Sequence, residues 1–356
     1  MIDPANAGEE KSVDRLEDRG ELVADRAGDL ELLGARDRVE QVATGYISTG
    51  DIGVMRSFEP DRRGASARVP NAGHAAIFLS FAFLVLLLSQ LLLIAPQIAN
   101  ASAATVLEPK RQLAAMAAAY FATLGFCFLI FPLLWRRGFL AGVRWDGAKA
   151  MRLAGKLVPL GIVVGLVVQG ISSLIPMPKS IPMDDFFRSV SDVWLVTAFG
   201  TLLAPLFEEL CFRGFLLPAF AIAFDWIGPA LRYLVAFSDA RLGGAAPERH
   251  FRAFREEASA GLAEGTDNLT FRSKGAVVAA SLVTSLLFAL LHAEQLAHAW
   301  GALCVLFCVS LVLTTVRIKT RSVACSTLVH ACYNFSVFLT LFVATGGYRH
   351  LEKMNQ

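Results

Sequence analysis

Charged residues are scarce in this sequence, and their scarcity decides the broad class of protein. Only 18% of the 356 residues are Asp, Glu, Lys or Arg, whereas 55% are hydrophobic, and the mean hydropathy is +0.52. This composition is too apolar for a soluble protein of this length. The formal net charge is only +2, and no basic run is interleaved with aromatic residues, so nucleic-acid binding is excluded. The sequence therefore predicts a protein that spans the lipid bilayer several times.

Cysteine and histidine motifs of the common metal sites are also missing. The six cysteines lie inside apolar segments without a CxxC spacing, which indicates small core residues and excludes a disulfide framework or a cysteine zinc site. There is no HExxH motif on one helix. No internal repeat is visible, which disfavours the inverted-repeat transporter folds.

Long apolar runs dominate the rest of the chain. They fall at about 75–95, 113–134, 153–175, 193–224, 276–293, 297–316 and 322–345. A helix needs about 20 residues to cross the hydrocarbon core of a bilayer. The runs therefore predict an all-α, polytopic integral membrane helical bundle with about seven transmembrane helices.

The distribution of basic residues predicts the orientation of this bundle. Lys and Arg cluster before the first run, between the second and third, after the fourth, and between the sixth and seventh, while the alternate loops hold few. Under the positive-inside rule this alternation places the N terminus in the cytoplasm and the C terminus outside. The expected location is the bacterial inner membrane.

Three charged residues stand in the middle of the fourth run, where charge is costly. Inserting Glu208, Glu209 or Arg213 at the centre of the bilayer would cost at least ~2.5–3.5 kcal/mol of free energy for each residue, unless the residue is paired or has a function. Glu209 and Arg213 are four residues apart and share a helix face, which favours an internal ion pair that orients the site. Glu208 points roughly 100° away on a helix. It lacks that partner, so we interpret it as the functional carboxylate.

Polar residues on two further apolar runs complete a candidate site. The fifth run contains Phe288 and His292, and the seventh contains His330 and Asn334, each pair four residues apart. His330 and Asn334 share one helix face and offer two hydrogen-bond donors to the same point. These polar groups can hydrogen-bond to one another and to Glu208 if they converge, which avoids leaving them unpaired in the membrane. We therefore expect one common site.

These residues resemble the three signature motifs of the CPBP family of intramembrane proteases. The motifs are Glu208-Glu209-x-x-x-Arg213, Phe288-x-x-x-His292 and His330-x-x-x-Asn334, in that order on successive apolar runs. The family includes the type II CAAX prenyl endopeptidases and the bacteriocin-processing and bacteriocin-immunity proteins, also termed Abi proteins. The match covers residues 184 to 345.

The resemblance implies an endopeptidase and a role for each motif residue. Glu208 and His292 would activate a water that attacks a peptide carbonyl, and His330 and Asn334 would donate to the developing oxyanion. Glu209 and Arg213 would support the constellation. The implied substrate is a membrane-associated polypeptide, and the implied surroundings are the lipid bilayer.

Composition and the apolar runs, together with the resemblance, predict a division of the chain. Residues 1–72 are expected to be a soluble, disordered leader, and residues 73–180 the N-terminal transmembrane helices. Residues 181–347 would be the protease core, with a polar insertion at about 232–275.

Three alternatives stay open at this point. Glu208, His292 and His330 are also the ligand set of a catalytic zinc, which would make the protein a metalloprotease, although no cofactor is expected from the glutamate mechanism. The second alternative is a scaffold or immunity protein without catalytic activity. The third is a proton-coupled transporter that uses Glu208 as its relay.

The depths of the two histidines conflict with straight helices. His292 lies late in its run and His330 early in its own, although both runs cross in the same direction, and the difference is roughly 12 Å at a rise of about 1.5 Å per residue. Either the fifth run starts deeper or tilts, or the segment from His292 to Trp300 is broken within the membrane.

Overall fold

A computed structural model describes the protein at residues 70–99, 109–176, 178, 181–241 and 273–351. The expected leader, residues 1–72, lies almost wholly outside the described residues. So does the greater part of the expected polar insertion, residues 242–272. The remainder is helical, and no strand occurs within the ranges just given.

Seven helices in this part of the chain are long and apolar enough to cross a membrane, as predicted. They are α1 (Ala72–Ala99), α2 (Pro109–Trp135), α3 (Ala154–Ser172), α4 (190–241), α5 (Lys274–Leu291), α6 (Trp300–Thr320) and α7 (Val323–Ala344). Short helices at Phe139–Gly142 and Gly147–Arg152 connect α2 to α3, and a 3-10 turn at Pro182–Phe187 precedes α4. The prediction of an all-α polytopic bundle is confirmed.

Helix α4 is continuous but changes its winding twice around the two glutamates. Its α-helical parts are Val190–Ala198, Ala204–Glu209 and Leu217–Arg241, and the π-helical parts between them are Phe199–Leu203 and Leu210–Leu216. π-Helical turns are rare and frequently mark functional sites. The helix also runs to Arg241, beyond the apolar run that predicted it.

Two glycines bring α3 and α7 into close contact. A Cβ atom added to Gly161 would lie 2.5 Å from the carbonyl oxygen of Val329, and one added to Gly165 would lie 1.8 Å from Oγ of Ser336. Glycines four residues apart on a membrane helix form such a surface, because the absence of side chains lets the neighbouring backbone approach. The α3 surface therefore sets the position of α7, which carries His330.

Gly165→Leu is expected to lower the yield of folded protein, because the leucine side chain would have to displace α7. Overpacking of this kind costs about 1–3 kcal/mol. Thermal unfolding in detergent micelles measures the loss. The matched control is Gly170→Leu on the same helix, where an added Cβ has no neighbour within 4 Å and should change little. Equal loss in both variants would contradict the proposed packing.

The connection between α5 and α6 is irregular. Helix α5 ends at Leu291, and the chain then makes turns up to His298, with positive φ angles of 46° at Ala297 and 57° at His298. The broken segment is therefore the alternative that the structure shows. It leaves His292 at the C-terminal cap of α5.

Candidate active site

The centre of the site is a buried ion pair between helix turns of α4. Nη1 of Arg213 donates to Oε1 of Glu209 at 2.8 Å, as the four-residue spacing predicts. Nη2 of Arg213 donates to the carbonyl oxygen and to Oγ of Ser310 on α6, at 2.9 and 2.7 Å. Relative exposure is 0% for Glu209 and 1% for Arg213. Because a buried charge is tolerated only when it is paired, this cluster ties α4 to α6.

His330 joins this cluster from α7. Its Nδ1 lies 3.1 Å from Oε1 of Glu209, and its Nε2 lies 3.8 Å from Oε2 of Glu208. A carboxylate paired with an arginine can only accept hydrogen bonds. Nδ1 of His330 is therefore protonated and donates the hydrogen bond to Glu209. Nε2 can then donate a hydrogen bond only if the ring is doubly protonated. The position of His330 between two glutamates thus determines what its outer nitrogen can do.

The sequence suggested that Glu208 has no partner, whereas in the structure it lies near His330. Glu208 is nevertheless the more accessible of the two carboxylates. Its side chain is 16% exposed, whereas that of Glu209 is 0% exposed. Among the described residues, its ionic contact is the one with Nε2 of His330. The two adjacent glutamates therefore differ as predicted: one is committed to an ion pair, and the other faces an open space.

The cap position of His292 fixes the orientation of its ring. Nδ1 of His292 lies 2.8 Å from the carbonyl oxygen of Phe288, one turn earlier, and a carbonyl oxygen only accepts. The proton of the neutral ring is therefore assigned to Nδ1, and Nε2 keeps its lone pair. The Phe288 ring packs against that of His292, with centroids 4.9 Å apart. His292 can thus act as a base through Nε2.

Asn334 donates a hydrogen bond to the π-helical turn in α4. In that turn the amide of Ala204 donates to the carbonyl of Phe199, five residues earlier. The next donor in this register would be Pro205, which has no N–H, so the carbonyl of Gly200 lacks that partner. Nδ2 of Asn334 donates to this carbonyl at 2.6 Å. One of the two amide protons of Asn334 is thereby used, and the other stays available.

The four predicted catalytic residues line one cavity of about 520 Å³. Glu208, His292, His330 and Asn334 all contribute to its wall, from α4, the end of α5 and α7. Glu209 and Arg213 lie behind this wall. The structure thus separates the six residues into four that line the cavity and two that are buried beside it.

The zinc alternative requires Glu208, His292 and His330 to converge on one point as ligands. Among the described residues, no three His, Cys, Asp or Glu side chains are grouped closely enough to hold a metal ion. The hydrogen bonds of His330 and His292 engage Nδ1 in both rings and leave Nε2 as the nitrogen that could ligate a metal, so only the spacing of the three side chains speaks against zinc. The three side chains do not fit a zinc site in this arrangement.

Several residues of the site escaped the sequence analysis. Ser310 accepts a hydrogen bond from Arg213, and the carbonyl of Gly200 accepts one from Asn334. Tyr120 and Tyr333 line the cavity together with Glu208. A detectable signal existed only for the tyrosines, since a tyrosine hydroxyl within an apolar helix generally seeks a polar partner. The serine and the glycine act through positions that no local spacing indicates.

The fold and the cavity define an integral membrane protein with a polar site among its helices. Residues 190–336 match the model of the Rce1-like type II CAAX prenyl endopeptidase family, which confirms the resemblance to CPBP proteases over that stretch. Searches of curated proteins and of solved structures gave no match. The matched stretch contains all three motifs, including the four motif residues that line the cavity.

Proposed function

We propose that this protein is an intramembrane endopeptidase that hydrolyses a peptide bond in a membrane-associated polypeptide. The observation that carries the proposal is the convergence of a carboxylate, Glu208, and an imidazole, His292, on one cavity that His330 and Asn334 also line. The match to a family of endopeptidases over the same residues supports it. Hydrolysis within a membrane needs an aqueous space lined by protein, and the cavity supplies one.

The chemistry begins with a water held between Glu208 and Nε2 of His292. Glu208 takes a proton from this water as the oxygen attacks the peptide carbonyl, and a tetrahedral intermediate forms. The same carboxyl then gives its proton to the leaving nitrogen as the carbon–nitrogen bond breaks. One water is consumed, and the products are an acid and an amine.

Donors on α7 stabilise the intermediate. The second amide proton of Asn334 and Nε2 of His330 supply two hydrogen bonds to the oxyanion, which develops only during the reaction. His330 does so as an imidazolium whose other proton, on Nδ1, is donated in the hydrogen bond to Glu209. The buried cluster of Glu209 and Arg213 therefore serves catalysis by holding His330, and takes no part in proton transfer.

The purified protein is expected to cleave members of a mixed peptide library without added metal. Mass spectrometry of the products identifies the cleaved bonds, and elemental analysis measures zinc. We expect no stoichiometric zinc and full activity with a chelator of moderate strength, because the three potential ligands are not grouped. About one zinc per chain, removed together with activity, would replace the glutamate mechanism by a metal mechanism. A folded protein without turnover would favour the scaffold.

We propose further that the protein lies in the bacterial inner membrane with its N terminus in the cytoplasm. The basic connections between α2 and α3 and between α6 and α7 support this orientation. A periplasm-dependent phosphatase fused after α7 is expected to be active, and one fused between α6 and α7 inactive. The reverse result would overturn the orientation and leave the peptidase proposal untouched.

A further inference from the structure

The connection between α2 and α3 contains a half-buried arginine, two of whose donor nitrogens have no acceptor in the described part of the chain. Nε and Nη2 of Arg137 are buried, and no group in the described part of the chain accepts a hydrogen bond from them. The indole N–H of Trp135, two residues earlier, is likewise buried without an acceptor there. A guanidinium stays charged in proteins, and leaving a charged donor unsatisfied is costly. The end of α2 therefore presents donors that need an external acceptor.

The surroundings of Arg137 increase this need. Burial, followed by the neighbouring Arg144, lowers the pKa of Arg137 from its ordinary value. The only acid in residues 136–153 is Asp146, whose side chain accepts from the amide of Lys149 and caps the following helix. Other charges in this connection are positive. No carboxylate of the connection is thus available to neutralise Arg137.

The backbone of this connection contains two unfavourable conformations and is hydrogen-bonded to α7. Arg136 and Arg144 both have left-handed conformations, with φ of 53° and 62°, which are unfavourable for residues with a side chain. The carbonyl of Arg144 accepts from the amide of Val323 at 3.0 Å, and Asp146 exchanges hydrogen bonds with Ser322. The connection is thereby anchored to the N-terminal end of α7. Such strain is maintained when the surrounding contacts require the conformation.

We propose that Arg137 and Arg144 form a binding site for a phosphate group, supplied by an anionic lipid headgroup at the membrane surface. A phosphate offers several acceptor oxygens and a negative charge, which match the unsatisfied donors of Arg137 and the positive charge that Arg144 adds beside it. The site lies directly after Trp135, at the end of a spanning helix, where lipid headgroups are found. Since the connection is bonded to α7, the bound phosphate stabilises the element that carries His330.

The test measures thermal unfolding of the purified full chain in nonionic micelles, with phosphatidylglycerol, phosphatidylcholine or inorganic phosphate added. Phosphatidylglycerol is expected to raise the Tm of the wild type by about 5 °C when it is well above its dissociation constant. Arg137→Gln should abolish this shift and weaken binding about tenfold or more. The matched control is Arg136→Gln, which removes the same charge from an exposed neighbour and should retain the shift.

Each result bears on the proposal. A shift with phosphatidylglycerol alone identifies the lipid as the source, and a shift with inorganic phosphate as well supports the phosphate site with a free anion as an additional ligand. Equal effects of the two substitutions, or no shift in the wild type, would overturn the proposal. So would a lower Tm of Arg137→Gln without any added anion, because it would reveal a structural partner within the protein.

Discussion

Glu208→Gln is expected to abolish peptide hydrolysis while leaving the amount of folded protein nearly unchanged. The amide has almost the same size as the carboxylate, but it can neither accept the proton of the attacking water nor return it to the leaving nitrogen. General acid–base catalysis contributes about 10²–10⁴-fold, and loss of both proton transfers removes at least that factor. Turnover of a cleaved library peptide and size-exclusion chromatography of the same preparation measure the two quantities.

The donors on α7 provide the comparison for this variant. His330→Ala and Asn334→Ala are each expected to reduce turnover by roughly 10²–10³ and to retain a measurable remainder, since each would remove one of the two proposed oxyanion donors. Full activity in Glu208→Gln, or complete loss in the donor variants with intact Glu208 chemistry, would show that the roles are assigned to the wrong residues.

Arg213→Ala is expected to have the largest effect on stability. It would leave Glu209, which is fully buried, without the 2.8 Å hydrogen bond that neutralises it. Breaking a buried ion pair by removing one partner costs about 3–5 kcal/mol, which is a large share of the stability of most domains. Denaturant-dependent unfolding in micelles, followed by tryptophan fluorescence, measures the change.

The double variant Glu209→Gln with Arg213→Met is the control for this prediction. It removes both charges and keeps the side-chain volumes similar, so it should recover much of the folded yield that Arg213→Ala loses. It should not recover activity, because His330 would lose its carboxylate anchor. An Arg213→Ala protein as stable as the wild type would contradict the structural role of the ion pair.

The number of helices could be predicted from the sequence, but their ends were less accurate. Apolar length alone identified all seven spans, because the bilayer imposes it. The sixth run was expected at 297–316, whereas α6 spans Trp300–Thr320. The shift arises from the turns at Ala297 and His298 and from the left-handed Arg321, whose backbone conformations leave no mark on hydropathy.

Residue spacing along one helix predicted part of the site, but it could not predict the contacts between helices. The pair of Glu209 and Arg213 was predictable because both residues lie on one helix four positions apart. The contact of His330 with Glu209 joins residues 121 positions apart, and the contact of Asn334 with Gly200 joins residues 134 positions apart. A single sequence gives no measure of such distances. For this reason it indicated that His330 belongs to the site without indicating which carboxylate holds it.

The missing amide of Pro205 has a consequence for the order in which the protein matures. The carbonyl of Gly200 accepts a hydrogen bond from Asn334, which lies on α7 and is synthesised after the other six spans. His330 reaches Glu209 from the same helix. During translation, α4 therefore inserts with its glutamates in place but without the residues that complete the site. Because chains fold as they emerge, a partly synthesised chain would carry an incomplete form of the proposed active site, and the proposed activity would begin only when α7 has docked.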